Sequence, residues 1–252
     1  NNTINIEEIK IEKSNWSTDL IKDFRFENNI HNKKIILFCG RIIPEKELKL
    51  SFLALKILLK KDKNFKFVII GDGKEKNKLK KLCEKLTLQA NVIWIGELFK
   101  QKELAPWFLS SDLFLSPDGF LTLNTNIPCL AVIHDLNFEH NPEDLPWFVR
   151  NYYRFLYPRF AKKANHIISV SEYSRQDLID TYEIEPSKVT TIYNGASEDF
   201  IYDINYEDIV NNSESEIRKL LNYCELNWDE NCLNHHQSKK TMIKTVSTYQ
   251  AR

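Results

Sequence analysis

The chain alternates short, wholly apolar runs with longer stretches in which apolar residues recur every three or four positions. Residues 33–40, Lys-Lys-Ile-Ile-Leu-Phe-Cys-Gly, form the first such run and end in Gly. A run of this length that does not alternate with polar residues reads as a buried parallel strand. Comparable runs at 65–70, 91–95, 113–115, 130–133, 166–170 and 189–193 predict further strands. Helical spacing predicts helices over 47–61, 74–86, 103–110, 146–164 and 174–182. This alternation points to an α/β fold with a parallel sheet and right-handed crossovers. Beyond residue 200 the pattern changes. A helix is expected over 206–222, with Ile209, Ile217, Leu220 and Leu221 on its apolar side, and the remainder to Arg252 is polar and irregular.

Charge divides the chain further. The 35 basic and 35 acidic residues cancel, which removes the electrostatic case for nucleic-acid binding. The balance is uneven, however. Residues 1–117 hold 22 basic and 15 acidic side chains, residues 118–200 hold 7 and 12, and residues 201–252 hold 6 and 8. The first stretch draws its positive charge mainly from Lys, and the second uses more Arg than Lys. Such shifts predict boundaries near 117 and 200. No apolar run reaches the length of a membrane span. The N-terminus carries no secretion pattern and no initiator Met, so a cytoplasmic protein whose start is missing is expected. The five cysteines are scattered and never spaced as Cys-x-x-Cys, which suggests buried thiols rather than disulfides or a zinc site.

In open α/β sheets, ligands sit beyond the carboxyl ends of the strands. The residues expected there are Gly40-Arg41, Gly71-Asp72-Gly73, Gly96, His134-Asp135, Ser171-Glu172 and Asn194-Gly195. Glycines let a backbone approach a phosphate closely. Arg41 and Lys46 flank the first strand-to-helix turn and would suit a diphosphate; they also read as solvated basic residues beside a turn. His134-Asp135 fits sugar binding or proton transfer, and equally a His held by a backbone carbonyl. The Lys run 74–85 reads as a solvated helix face. The aromatic residues Trp147, Phe148, Tyr152, Tyr153, Phe155, Tyr157 and Phe160 read as core and interdomain packing. His235-His236 lacks a third metal ligand at a suitable spacing.

Four words, "ILFCGRIIPEK", "FVIIGDGKEKNKL", "NVIWIGEL" and "SSDLFLSP", occur in that order over residues 33–117. They resemble the nucleotide-binding domain of retaining GT-B glycosyltransferases, the group 1 or family 4 type. The resemblance implies incomplete Rossmann-like sheets. It also implies that Arg41 and Lys46 grip a donor diphosphate beside Gly40, with Gly71, Asp72, Gly73 and Gly96 lining the nucleotide. Residues 118–200, with "PCLAVIHDLNFEHNPEDLPWFVRNYYRFLYPRFAKKANHIISVSEYSRQDL" and "VTTIYNGA", resemble the end of the acceptor-side domain of the same family. There His134 is implied to face the donor sugar, with Asp135 as its catalytic neighbour. Residues 201–252, with "INYEDIVNNSESEIRKLLNYCELNWDENCLNHH" and "KTVSTYQAR", look like the C-terminal end of PAPS-dependent sulfotransferases. In that family the segment matching Lys244, Thr245, Ser247, Gln250 and Arg252 lies near the nucleotide.

The departures from the pattern are specific. The acceptor-side domain comes first in family members, whereas its match comes second here. Both matches are short for whole domains. The Glu-x7-Glu motif expected after Ser116-Pro117 is absent, and no two Glu residues stand eight positions apart. The shared word "LFLSPDGF" sits at the first join. The resulting expectation is a composite of three gene fragments. Its first reading is transfer of a sugar from a UDP- or GDP-sugar to an unidentified acceptor, without cofactor or metal. The alternatives are a non-catalytic α/β module, in which all the strands close one sheet, and a sulfotransferase fragment.

Overall fold

A computed structural model describes residues 16–194, 206–224 and 226–233. The chain divides into two compact units, Asn1–Tyr193 and Asn194–Arg252.

The first unit is built on one seven-stranded sheet in the order β3-β2-β1-β4-β5-β6-β7. Its strands are β1 (Lys34–Cys39), β2 (Phe65–Ile70), β3 (Val92–Gly96), β4 (Leu113–Ser116), β5 (Cys129–Ile133), β6 (His166–Ser169) and β7 (Val189–Thr191). All adjacent pairs are parallel. The pairing of β4 with β5, Phe114 opposite Cys129 and Ser116 opposite Ala131, carries the sheet without interruption across residue 117.

Among the described residues seven helices flank the sheet: α1 (Thr18–Glu27), α2 (Leu48–Lys61), α3 (Lys76–Lys85), α4 (Gln101–Leu109), α5 (Asn137–His140), α6 (Trp147–Lys163) and α7 (Glu172–Tyr182). Side chains alternate across a strand, so the two sheet faces build two cores. Ile35 and Leu37 of β1 face the larger core, with Trp107, Phe114, Ile133, Phe160, Ile167 and Leu178. Phe38 faces the smaller core, where Phe52 and Leu55 of α2 and Leu79 of α3 pack against Phe67 and Ile69. Strands apolar on both sides are what such a two-sided core requires. Helix α1 packs on the larger core through Phe24, whose ring centroid stands 4.9 Å from that of Trp107. It is fixed by its cap, where Ser17 accepts from the Leu20 N–H at 3.2 Å, and by Arg25, which donates to the Ser110 and Lys33 carbonyls.

The aromatic residues of α6 need a correction. Tyr153, Tyr157 and Phe160 pack on the larger core, but Trp147, Phe148, Tyr152 and Phe155 are 61%, 80%, 52% and 59% exposed. Helical geometry explains the split. Residues 153, 157 and 160 form one i, i+4, i+7 stripe, and 148, 152 and 155 form a second, rotated from it by roughly 140°. A helix lying on a sheet can bury only one of them.

In the second unit the helix expected over 206–222 is two helices, α8 (Tyr206–Asn211) and α9 (Ser213–Tyr223). The break falls at Asn212, whose φ of −136° and ψ of 46° are not helical. Within α9, Arg218 pairs with Glu214 at 2.8 Å, and its guanidinium stacks 3.8 Å from the Trp228 ring.

Candidate functional site

Strand order reverses between β1 and β4. At such a reversal the flanking connections diverge and leave a crevice beyond the carboxyl ends of the strands. From β1 the chain enters Gly40-Arg41 and then a 3-10 turn, Pro44–Lys46. From β4 it enters Pro117-Asp118. Arg41 is exposed. Lys46 and Asp118 meet across the crevice as an ion pair, with side chains only 18% and 23% exposed. The Lys46 ammonium also stands 5.6 Å from the centroid of the Phe120 ring. The Tyr157 hydroxyl donates to the Asp118 carbonyl at 3.1 Å. The crevice is thus closed by the chain's own side chains.

Burial pushes the Lys46 ammonium down to about 8, with the Arg41 guanidinium acting in the same direction and Glu45 against it. The Asp118 carboxylate in contact with it favours the charged form. Asp118 belongs to no spaced acidic motif in the sequence. Its position directly after a strand end and Pro117 was the available signal.

Two of the loop glycines meet a packing demand of their own. A Cβ on Gly71 would stand 2.0 Å from the Gly40 carbonyl oxygen, and one on Gly73 would stand 2.2 Å from that of Ile42. Both have positive φ, +134° and +156°. The close approach they permit is to the neighbouring loop, which the Ile42 N–H secures by donating to the Asp72 carbonyl at 2.8 Å. Gly40 has no such need, because its Cβ would touch only the Phe38 ring. Gly96 is required by its φ of +86°. Asp72 accepts from the Gly73 N–H and pairs with Lys76 at 2.5 Å, which holds its carboxyl below the usual range.

His134 and Asp135 leave β5 on the same side of the sheet, two strand spacings from β1, or roughly 10 Å. Both are exposed. Asp135 accepts from the Asn137 N–H at 2.9 Å, and the His134 carbonyl accepts from the Ser174 hydroxyl at 2.7 Å. Ser171 caps α7, and Glu172 is held below its usual range by Thr191 and Arg175. Gly40, Arg41, Lys46, Gly71–Gly73, Gly96, His134 and Asp135 therefore share one edge of one sheet. Gly195, His235, His236, Lys244, Thr245, Ser247, Gln250 and Arg252 lie outside the described residues. Among the described residues no cluster of His, Cys, Asp and Glu is placed to hold a metal. No described helix is long and apolar enough to cross a membrane.

Comparison with known proteins fits this geometry. Over 112 residues the chain is 30% identical to alpha-monoglucosyldiacylglycerol synthase of Streptococcus pneumoniae, which covers 44% of this chain and 25% of that protein. The chain spans between 19% and 28% of the length of the curated relatives it matches. Among solved structures, WaaG, a glycosyltransferase involved in lipopolysaccharide biosynthesis, is 18% identical with a TM-score of 0.43, covering 68% of this chain and 43% of its own. Anabaena HepE in complex with UDP is 17% identical with a TM-score of 0.40, covering 46% and 34%. Residues 21–120 match the family "Glycosyl transferases group 1", and residues 110–200 match "Glycosyltransferase Family 4". These two matches overlap at β4 and together run through all seven strands.

Proposed function

We propose that the chain is a glycosyltransferase-like protein that takes the diphosphate of a UDP- or GDP-sugar at the reversal between β1 and β4. Arg41 and Lys46 supply the positive charge, and His134, two strands away, orients the sugar for transfer to an acceptor with retention at the anomeric carbon. The observation that carries this reading is Lys46, an ammonium held half-buried in the crevice with an acidic partner, Asp118, in the place an anion would take. The two cations would stabilise charge on the departing diphosphate, as preorganised dipoles and charges do in transfer reactions. In this reading Asp118 is an internal competitor, and binding requires Lys46 to exchange it for phosphate oxygens.

Titration calorimetry with UDP and UDP-glucose tests this. Asp118→Asn should tighten UDP binding about tenfold, Lys46→Met should abolish it, and Arg41→Ala should weaken it by a similar factor. Unchanged affinity in all three variants would sink the assignment.

A second reading, a non-catalytic module, is favoured by one specific observation. The donor-side and acceptor-side residues stand on the same sheet edge, and the Lys46–Asp118 pair fills the space between them. Release of UDP from UDP-glucose by the purified chain would eliminate it. The overlap of the two family matches at 110–120 supports a join of separate glycosyltransferase segments there, in reversed order. The sulfotransferase reading of 201–252 rests on the word at 204–236, largely within the described residues, and on Lys244, Thr245, Ser247, Gln250 and Arg252, which lie outside them. It is removed if adenosine 3′,5′-bisphosphate leaves the melting temperature unchanged.

A further inference from the structure

Two parallel strands need a crossover that returns from the carboxyl end of one to the amino end of the next, and a helix usually supplies it. Between β4 and β5 the return is made by residues 117–128, which contain no helix. A helix with its side chains is roughly 10 Å across. An irregular chain in that slot is thinner, and the flanking helices α4 and α6 do not close the gap. A cavity of about 360 Å³ remains on the larger-core side of the sheet. Leu104 and Phe108 of α4, Leu121 of the connection and Tyr152 of α6 are among the residues that wall it, and no charged side chain lines it.

Two polar atoms face this apolar wall without a partner. They are the Gln101 Oε1 at the start of α4 and the Asn124 Nδ2 in the connection, both removed from solvent. A buried amide atom without a hydrogen bond is costly, and native proteins rarely retain one unused. Here two stand in one cavity, one offering an acceptor and the other a donor. A single hydroxyl can satisfy both. A carboxylate or phosphate would enter with no compensating cation and would lose its hydration. The volume is more than twice the ~150 Å³ that admits a benzene ring in an apolar core, and it falls within the ~300–1,000 Å³ of ordinary ligand sites.

We propose that this cavity is a binding site for an uncharged apolar molecule with one hydroxyl head, of which a medium-chain alcohol is the minimal form. The apolar part lies against Leu104, Phe108 and Leu121, and the hydroxyl bridges Gln101 and Asn124. The site adjoins the donor crevice at Phe120, which lines the cavity and stands 5.6 Å from the Lys46 ammonium.

Octan-1-ol is the probe, titrated into the full chain by calorimetry and by NMR of methyl and aromatic side-chain groups. The expected result is saturable one-to-one binding, with shifts concentrated on the Leu104 and Leu121 methyls. Octanoate should bind at least tenfold more weakly. Ala105→Trp, which fills the cavity, should abolish binding. The double variant Gln101→Leu/Asn124→Leu should weaken binding about tenfold, and this pair keeps the test open if the Trp variant fails to fold. Any one of several outcomes overturns the proposal. These are no saturable binding, which makes the cavity a packing void; equal affinity for octanoate; binding that survives the folded Trp variant; and shifts confined to Trp147, Phe148 and Phe155, which assign the alcohol to the exposed stripe of α6.

Discussion

The two halves of the sheet are built differently. Around β2 and β1, both faces are buried, with Leu37 and Val68 on one side and Phe38, Phe67 and Ile69 on the other. From β4 to β7 only one face is. Cys129, Ala131, Ile133, Ile167 and Val189 are buried in the larger core, whereas Leu113, Leu115, Leu130, Val132, His166 and Ile168 on the opposite side are only partly buried and Thr190 is exposed. The reason is the direction of travel. Right-handed crossovers that step one way along a sheet put their helices on one face, and those that step the other way use the opposite face. Helices α2 and α3 serve the first direction, and α6 and α7 the second. The lesson is that equally apolar strands differ in what they contribute, because the neighbours decide the burial.

The largest test of this contrast is in the cores. Phe52→Ala, in the half buried on both sides, should lower unfolding free energy by about 3–5 kcal/mol, against about 1 kcal/mol for Leu130→Ala. Urea denaturation monitored by circular dichroism measures both, and similar losses would break the comparison. Next in size come the loops. Gly71→Ala should cost about 2 kcal/mol or more, because the added methyl meets the Gly40 carbonyl oxygen and φ is positive, whereas Gly40→Ala should be close to neutral. Equal effects would mean that the approach of the Gly40 carbonyl is not what requires glycine at 71.

A further test is a pH dependence at the junction of the halves. Burial and Arg41 lower the Lys46 pKa in the folded protein to about 8, below its value of about 10.4 in an unfolded chain. Between those values the unfolded state holds a proton that the folded state has lost, so stability should rise with pH across that window. Below about pH 8 the folded state bears the cost of the buried ammonium, moderated by Asp118. Stability of the wild type relative to Lys46→Met should therefore increase from pH 8 toward 10. A flat difference would mean that Asp118 fully compensates the burial.

Much of this was readable in the residues themselves. Each strand is an apolar run closed by Gly, Ser or a polar pair, and such runs have few competing interpretations. The edge that collects Arg41, Gly71 and His134 follows from the parallel order alone. Other features depend on contacts between distant segments. Helix α1 is held by a cap, by Arg25 and by Phe24, whose partner Trp107 is distant in the chain. The two aromatic stripes of α6 are equivalent in sequence, and only the sheet selects between them. Gly71 announces close approach but not what approaches. Asp118 became visible only when Lys46 was seen opposite it.

The unbroken pairing of β4 with β5 has one more consequence. Severed within 117–128, each fragment would carry a naked strand edge, with unpaired N–H and C=O groups that recruit any compatible strand. The complementary fragment offers the matching register, from Phe114–Cys129 to Ser116–Ala131. Mixed promptly, the two pieces should reassemble as a split protein; kept apart, each should aggregate.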